Sequence, residues 1–376
     1  MANVTELIQE LCEAGRHPQR TIAASMKETG REAVGMFPLF LPEELIYAAG
    51  FLPVGLWGGI TSFQLADQYL QSFCCNIIRA NMELAMNGSY NFLKGILVPS
   101  QCDTLKCACE NMKVAMPDTP IIGVTIPHNR TTSGAHQQLL AEFDYLMEEL
   151  TKLQPAPRHF HLEEAFQIYE EYRRVMMEFV ALVPRHLNTI SAKTRHYLIK
   201  AAHFMDKAVY TEKMCAIVES LKVMPQETFQ GVRFVATGIM IDTDPVLDLL
   251  GELNITITDD LLCHESLQFR TPTREGGDVL SKMAYRLLDI KGASPLYDPG
   301  KPRGNLLADM VEATHSDAVL FCLTKFCDPD AFDQPLVKKD LDRRGVRVLN
   351  IEMDQHVESV GQLRTRIQGF LEMQGL

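Results

Sequence analysis

Phe321-Cys322-Leu323-Thr324-Lys325-Phe326-Cys327-Asp328-Pro329 is the stretch that decides the fold. The run from Ala318 to Leu323 is short and uniformly apolar, which reads as a buried parallel strand. A lysine, an aromatic and a cysteine follow it. Asp328 suits a helix N-cap and Pro329 a first helical turn. Cys327 is therefore expected at the carboxyl end of a strand, where open α/β sheets bind their ligands. Far upstream, Gly95-Ile96-Leu97-Val98-Pro99 repeats the design, and Cys102-Asp103 follows just before another expected helix. Two thiols on the carboxyl edges of two α/β halves point to a site shared between the halves.

The rest of the chain fits around these two stretches. Residues 1 to about 33 read as helical, with Pro18 near the start of a second helix, and Met36 to Phe40 as a short extended piece. Pro42-Glu43-Glu44 opens a helix through Ala49, and Gly50 supplies a left-handed cap. Leu52 to Trp57 reads as a strand ending in the Gly58-Gly59 turn. A helix is expected over Leu70–Met86, with Cys74-Cys75 near its beginning and Arg79 one turn beyond. Helix Thr104–Val114 and strand Ile121–Ile126 complete a first α/β unit. Leu139, Phe143, Leu146 and Leu150 then recur at helical steps, as do Leu162, Phe166, Tyr169, Met176 and Val180. Strands return at Val232–Ala236, Asn254–Thr258, Val319–Leu323 and Val346–Ile351, alternating with helices to a last one near Val360–Met373. The expected organisation is an N-terminal α/β domain over 1–134, a helical connecting region over 135–225 and a C-terminal α/β domain over 226–376. Pro155, Pro157 and Pro225 mark the joints. The fold class is α/β, with two Rossmann-like or flavodoxin-like parallel-sheet domains.

Composition narrows the functions. The chain has 376 residues, with 46% hydrophobic and 22% charged, so a core of ordinary size is available. A net charge of -12 and the lack of a basic run argue against nucleic acid. The N-terminus reads as an amphipathic helix, and no apolar run approaches the ~20 residues of a membrane span. A cytoplasmic protein is expected, in which the ten cysteines are not structural disulfides. Phosphate-loop, dinucleotide, serine-elbow and His-Glu-x-x-His motifs are all missing from the sequence.

The cysteines carry the remaining signal. Core packing is the default for a free cysteine, and Cys12, Cys215, Cys263 and Cys322 are assigned to it. Cys107 and Cys109 lie two apart on a helix, about 200° around its axis, so they cannot both face what Cys102 faces. Cys102 and Cys327, at strand-to-helix turns, are the better metal candidates, because a helix N-terminus favours the thiolate. Cys74 or Cys75 suits a third position. Three thiolates with an open fourth position suit an iron–sulfur cluster, and zinc is the alternative soft-ligand choice.

Over its whole length the chain resembles the 2-hydroxyacyl-CoA dehydratase family, which includes subunits of ATP-driven benzoyl-CoA reductase. The likeness is carried by Phe37-Pro38 through Pro42-Glu43-Glu44-Leu45-Ile46-Tyr47-Ala48-Ala49-Gly50, and by Leu52-Pro53-Val54-Gly55-Leu56-Trp57-Gly58-Gly59. It continues with Cys75 and Arg79, Cys102-Asp103-Thr104-Leu105, Gln268-Phe269-Arg270-Thr271, Lys325-Phe326-Cys327-Asp328-Pro329 and Thr365-Arg366-Ile367-Gln368. The resemblance implies one 4Fe–4S cluster held by Cys75, Cys102 and Cys327 in the cleft between the domains, and it decides for Cys75 over Cys74. Pro295–Gly304 carries no cysteine, so the likeness points to one ordinary cluster rather than a double one. It implies loss of water from an (R)-2-hydroxyacyl-CoA, giving the (E)-2-enoyl-CoA through a ketyl radical. The electron comes from a separate ATP-dependent iron–sulfur activator.

By the same likeness this chain is the β subunit of a heterodimer, carrying an electron-relay cluster. The acyl-CoA is then held mainly by the α subunit. Glu44 and Trp57-Gly58-Gly59 correspond to the region lining the substrate site in α. Here Glu44 is read more simply as a first-turn helix carboxylate, and Arg79, His128 and Lys325 as packed or solvated. An acyl-CoA reductase subunit and a non-catalytic iron–sulfur electron-transfer protein are the alternatives.

Overall fold

The computed structural model describes residues 4–154, 160–355 and 359–376. Helices α1 (Val4–Arg16) and α2 (Pro18–Thr29) lead into β1 (Ala33–Met36), α3 (Glu43–Ala48) and β2 (Leu52–Gly55). Next come α4 (Asn76–Met86), β3 (Leu93–Pro99), α5 (Asp103–Ala115) and β4 (Ile121–Val124). Four helices follow: α6 (Ala135–Lys152), α7 (Leu162–Leu182), α8 (Ala192–Ala201) and α9 (Lys207–Val223). The second unit contains β5 (Val232–Gly238), α10 (Asp244–Glu252), β6 (Ile255–Leu262), α11 (Val279–Asp289) and α12 (Arg303–Thr314). It ends with β7 (Ala318–Thr324), α13 (Asp328–Arg343), β8 (Val348–Met353) and α14 (Gly361–Gln374).

The strands form two four-stranded sheets, ordered β2-β1-β3-β4 and β6-β5-β7-β8. Every pairing in them is parallel. Both sheets follow one plan, with the first strand of each half lying between the second and the third. Such a plan places a switch in strand order beside β3 and beside β7, where ligands of open α/β sheets gather at the carboxyl ends. The α/β fold read from the sequence is the one observed.

Three local expectations are corrected. Ala33–Met36, read as the end of a helix and the start of an extended piece, is β1, in the interior of its sheet. All four of its residues are buried, so it lacks the alternation that identifies a half-exposed strand. The helix expected over Leu70–Met86 begins only at Asn76. Before it, the Glu83 carboxylate accepts from the backbone N–H of Leu65 and of Ala66, both at 2.8 Å, which gathers this segment into a loop. Asp328 is not the cap of α13 but its first residue, and Cys327 occupies the cap position. Pro155 and Pro157, read as a joint, lie outside the described residues.

Apolar packing is layered. One core runs continuously from the first sheet into the second, joining Met36, Leu97 and Val124 with Val235, Val319 and Phe321. A second core lies among the helices, where Leu11 of α1 meets Tyr169, Phe179 and Met214 of α7 and α9. A third covers the other face of the second sheet with α10 and α14.

Gly238 ends β5 with φ +146, and a Cβ there would lie 2.2 Å from the carbonyl oxygen of Cys322 on β7. Only glycine permits that backbone and that approach. Gly238→Ala is expected to lower unfolding free energy by about 2–3 kcal/mol, read as a shifted denaturation midpoint with an unchanged slope.

Candidate functional site

Three cysteines begin three helices. Cys75 is the cap residue of α4, Cys102 of α5 and Cys327 of α13, each in extended backbone. Cys102 follows β3 and Cys327 follows β7, which are matching strands of the two sheets. Cys75 comes at the end of the loop that leaves β2. All three residues are partly buried.

Their electrostatics link them. Burial pushes the Cys75 thiol up to about 12, and negative charge at Cys102 and Cys74 adds to the rise. The amides of Ile78 and Ile77, in the first turn of α4, act against it. Burial raises Cys102 as well, opposed by the amides of Leu105 and Thr104. Cys327 is raised well above the ordinary thiol value by burial, then by Asp330, Cys75 and Cys102, with the Asp330 amide opposing. Cys327 therefore senses both other sulfurs and Cys75 senses Cys102, and each of the three has helix-start amides working toward its thiolate. Cys74 is buried beside Cys75, and its thiol lies 3.8 Å from the Gln71 side-chain oxygen. Among the described residues, no three His, Cys, Asp or Glu side chains are gathered as for one metal ion. Thiolates around a polynuclear cluster stand farther apart than ligands of a single ion.

Two of the three helix starts are braced, at Cys75 and at Cys327. Asn76 Nδ2 donates across to Asp354 Oδ2 at 2.5 Å, beyond the end of β8. Arg79, one turn into α4, is buried. It pairs with Asp67 at 2.5 Å, donates to Asn76 at 3.2 Å and stacks 4.1 Å from the Phe63 ring. Behind Cys327, the buried Arg303 donates to Asp330 at 2.8 Å and to Asp333 at 3.2 Å. It also donates to the Thr237 hydroxyl at 2.8 and 3.0 Å, tying the start of α13 to the end of β5.

Below this edge sits Trp57, its ring packed edge-on against His196, His203 and His264 at 5.2–5.8 Å. Gly58, with φ +76, turns the chain against Gln355, whose side chain donates to the Trp57 carbonyl at 2.8 Å and to Asp242 at 3.2 Å. Asp242 also accepts from Lys200 at 2.6 Å and faces His196 Nε2 at 2.9 Å. His196 Nδ1 is 2.9 Å from Glu265, which in turn meets Arg195 at 3.2 Å. Burial, with Lys207 adding, pulls His203 down to about 3, and burial with His203 does the same to His264, so both rings are neutral. His196 behaves oppositely. Burial disfavours its charge, yet Asp242 and Glu265 raise its pKa above the ordinary histidine value.

A sequence-family profile described as "2-hydroxyglutaryl-CoA dehydratase, D-component" matches residues 38–374. The chain belongs to this family. It is similar to the (R)-phenyllactyl-CoA dehydratase beta subunit of Clostridium sporogenes, with 35% identity over 99% of this chain and 100% of that protein. It is 34% identical to the lactoyl-CoA dehydratase subunit beta of Anaerotignum propionicum, again over 99% and 100%. The (R)-2-hydroxyglutaryl-CoA dehydratase subunit beta of Acidaminococcus fermentans is 30% identical over 98% of this chain and 99% of its own. The family is one of hydro-lyase components, and this chain is an enzyme component of that class.

In this dehydratase component the other residues singled out from sequence have separate places. Glu44 is buried. Burial favours its neutral form, but Arg286 and Arg173 overcome that and hold its carboxyl down at about 2. Arg173 donates to it at 2.7 Å and Arg286 at 3.1 Å, so it is more than a first-turn carboxylate. Cys109, Cys263 and Cys322 are buried, Cys12 and Cys215 partly so, and Cys107 is exposed on α5. His128 and Lys325 are exposed. Arg303 and the His196 network went unrecognised in the sequence. Asp330 and Asp333 read only as charges on a helix, and the partners of His196 lie 46 and 69 residues away.

Because the His196 pKa is raised in the fold, its charge stabilises fully below the unfolded value of about 6.5, and this is lost as pH rises through the folded value. Unfolding free energy should decline toward alkaline pH. His196→Gln is expected to weaken that decline and to lower stability most near pH ~6, as read by denaturant titrations at stepped pH.

Proposed function

We propose that this chain is the β subunit of a 2-hydroxyacyl-CoA dehydratase, and that Cys75, Cys102 and Cys327 hold a 4Fe–4S cluster in the cleft between its two halves. The observation that carries the reading is the convergence of three helix-start thiols, with Cys327 under the charge of Cys75 and Cys102 and Cys75 under that of Cys102. The donor chemistry fits, since thiolates are the usual protein ligands of such clusters. When bound, the cluster supplies a one-electron couple. The helix-start amides favour the thiolate form, Asn76 fixes the Cys75 turn, and Arg303 fixes the Cys327 turn.

An α subunit completes the enzyme in this reading, binds most of the (R)-2-hydroxyacyl-CoA and carries out the loss of water to the (E)-2-enoyl-CoA. A separate ATP-dependent iron–sulfur activator injects the electron that this chain relays. The relatives named as beta subunits support the pairing. The helical region 135–225 joins the α/β domains 1–134 and 226–376, and the protein works in the cytoplasm.

Protein purified without oxygen should contain about four irons and four sulfides per chain, with a brown absorption that bleaches on reduction. Cys75→Ser, Cys102→Ser and Cys327→Ser should each lose most of that iron, and Cys107→Ser should keep it. Full iron in any of the first three would remove that residue from the ligand set. Mixing the wild-type chain with its α subunit and activator should then give dehydration that the iron-poor variants do not support.

A further inference from the structure

A cavity of about 410 Å³ opens between the loop after β4 and the segment joining α11 to α12. None of the three candidate ligand cysteines lines it. Its size falls within the ~300–1,000 Å³ of small-molecule sites. We propose that it binds a nucleoside phosphate.

Four observations converge on this chemistry. The loop after β4 leads into α6, an 18-residue helix; its first amide, of Ala135, donates to the Thr132 carbonyl at 3.1 Å, and the next two, of His136 and Gln137, have no acceptor within the helix and favour an anion. Ser133 and His136, on either side of that helix start, line the cavity. Cationic groups exceed acidic ones there, in a protein of net charge -12. Arg274 is matched by Asp289, with two contacts at 2.6 Å, and Arg130 lies 4.0 Å from Asp298. Lys291 is exposed, and no ion pair to it is found among the described residues.

The cavity also carries unspent hydrogen-bonding capacity. Arg130 is 9% exposed and gives its terminal nitrogens to the carbonyls of Leu288, Ile290 and Tyr297. Its Nε and the Nε2 of His136, both on residues that line the cavity, are buried without a partner. Finally, the wall is aromatic. His136 stacks on Tyr285 at 4.1 Å, and Tyr297 is 48% exposed. A phosphate at the α6 start, within reach of Lys291, leaves a planar base to lie against Tyr297. The loop hydroxyl of Thr131 is already tied to Asn129 at 2.8 Å, so Lys291 and the helix amides are the principal phosphate groups.

Calorimetric titration of the full chain with ADP, coenzyme A and inorganic phosphate tests the assignment. ADP or coenzyme A should bind saturably and at least about tenfold more tightly than phosphate. Lys291→Glu and Ser133→Asp, both at exposed positions, should each weaken binding about tenfold or more, and Tyr297→Ala should weaken the nucleotides but not phosphate. Equal affinity for ADP and coenzyme A would assign the site to their common adenosine diphosphate, whereas a clear preference for coenzyme A would assign it to adenosine diphosphate together with what coenzyme A adds, the 3′-phosphate and the pantetheine arm. No saturable binding, nucleotides no tighter than phosphate, or affinity unchanged in both charge variants would overturn it. The readout is independent of iron, so it stands or falls separately from the cluster reading.

Discussion

Side chains of one half that hydrogen-bond to groups of the other hold the seam on which the sulfur-bearing edge depends. Arg130 reaches the carbonyls of Leu288, Ile290 and Tyr297. Gln268 reaches Pro38 at 2.9 Å, and Gln355 reaches Trp57 at 2.8 Å. Carbonyls fix position in the backbone itself, so these bonds set the register of one sheet edge against the other more tightly than contacts between flexible side chains would. Asn76 to Asp354 adds a side-chain link across the same seam, within one residue of Cys75. The continuous apolar core beneath supplies the adhesion, and the polar seam selects one alignment of it.

Buried charge has a related role. Glu44 lies between two arginines, Arg303 between two aspartates, and His196 between two carboxylates. Ion pairs of this kind contribute little net stability, because removing charges from water costs nearly what their attraction returns. Breaking one is costly, since it strands a charge in the interior. Their effect here is to make alternative packings of the cleft expensive. Each set bridges elements far apart in sequence, and the Arg303 set, through Thr237, ties a helix start to a strand end.

How much of this was legible in the chain depended on whether the signal was local. The strands at Gly95–Pro99 and Ala318–Leu323 announced themselves as apolar runs, and the turns after them placed Cys102 and Cys327 on the sheet edges. Cys75 could not be separated from Cys74 by residue pattern alone, because both precede the same helix; the family likeness chose between them. Ala33–Met36 was missed because a strand buried on both faces has no alternation to read. The Glu44, Arg303 and His196 sets were hidden for another reason. Their members are tens to hundreds of residues apart, and a lone Arg or Asp on a helix looks the same whether it meets water or a buried partner. The polar cavity beside α6 was equally hidden, since its two walls come from different halves.

The shared strand order of the two sheets has a geometric consequence. A plan used twice offers matching places for sulfur, and Cys102 and Cys327 occupy one such pair at the ends of β3 and β7. The helix feeding the third strand of each half offers another pair, with Cys75 in the first half and Pro302 in the second. Proline has no sulfur, so the three cysteines divide as two on one half and a single one on the other. A cluster held as proposed would take two of its ligands from the first half and one from the second, and the Arg303 brace would set where that single ligand stands.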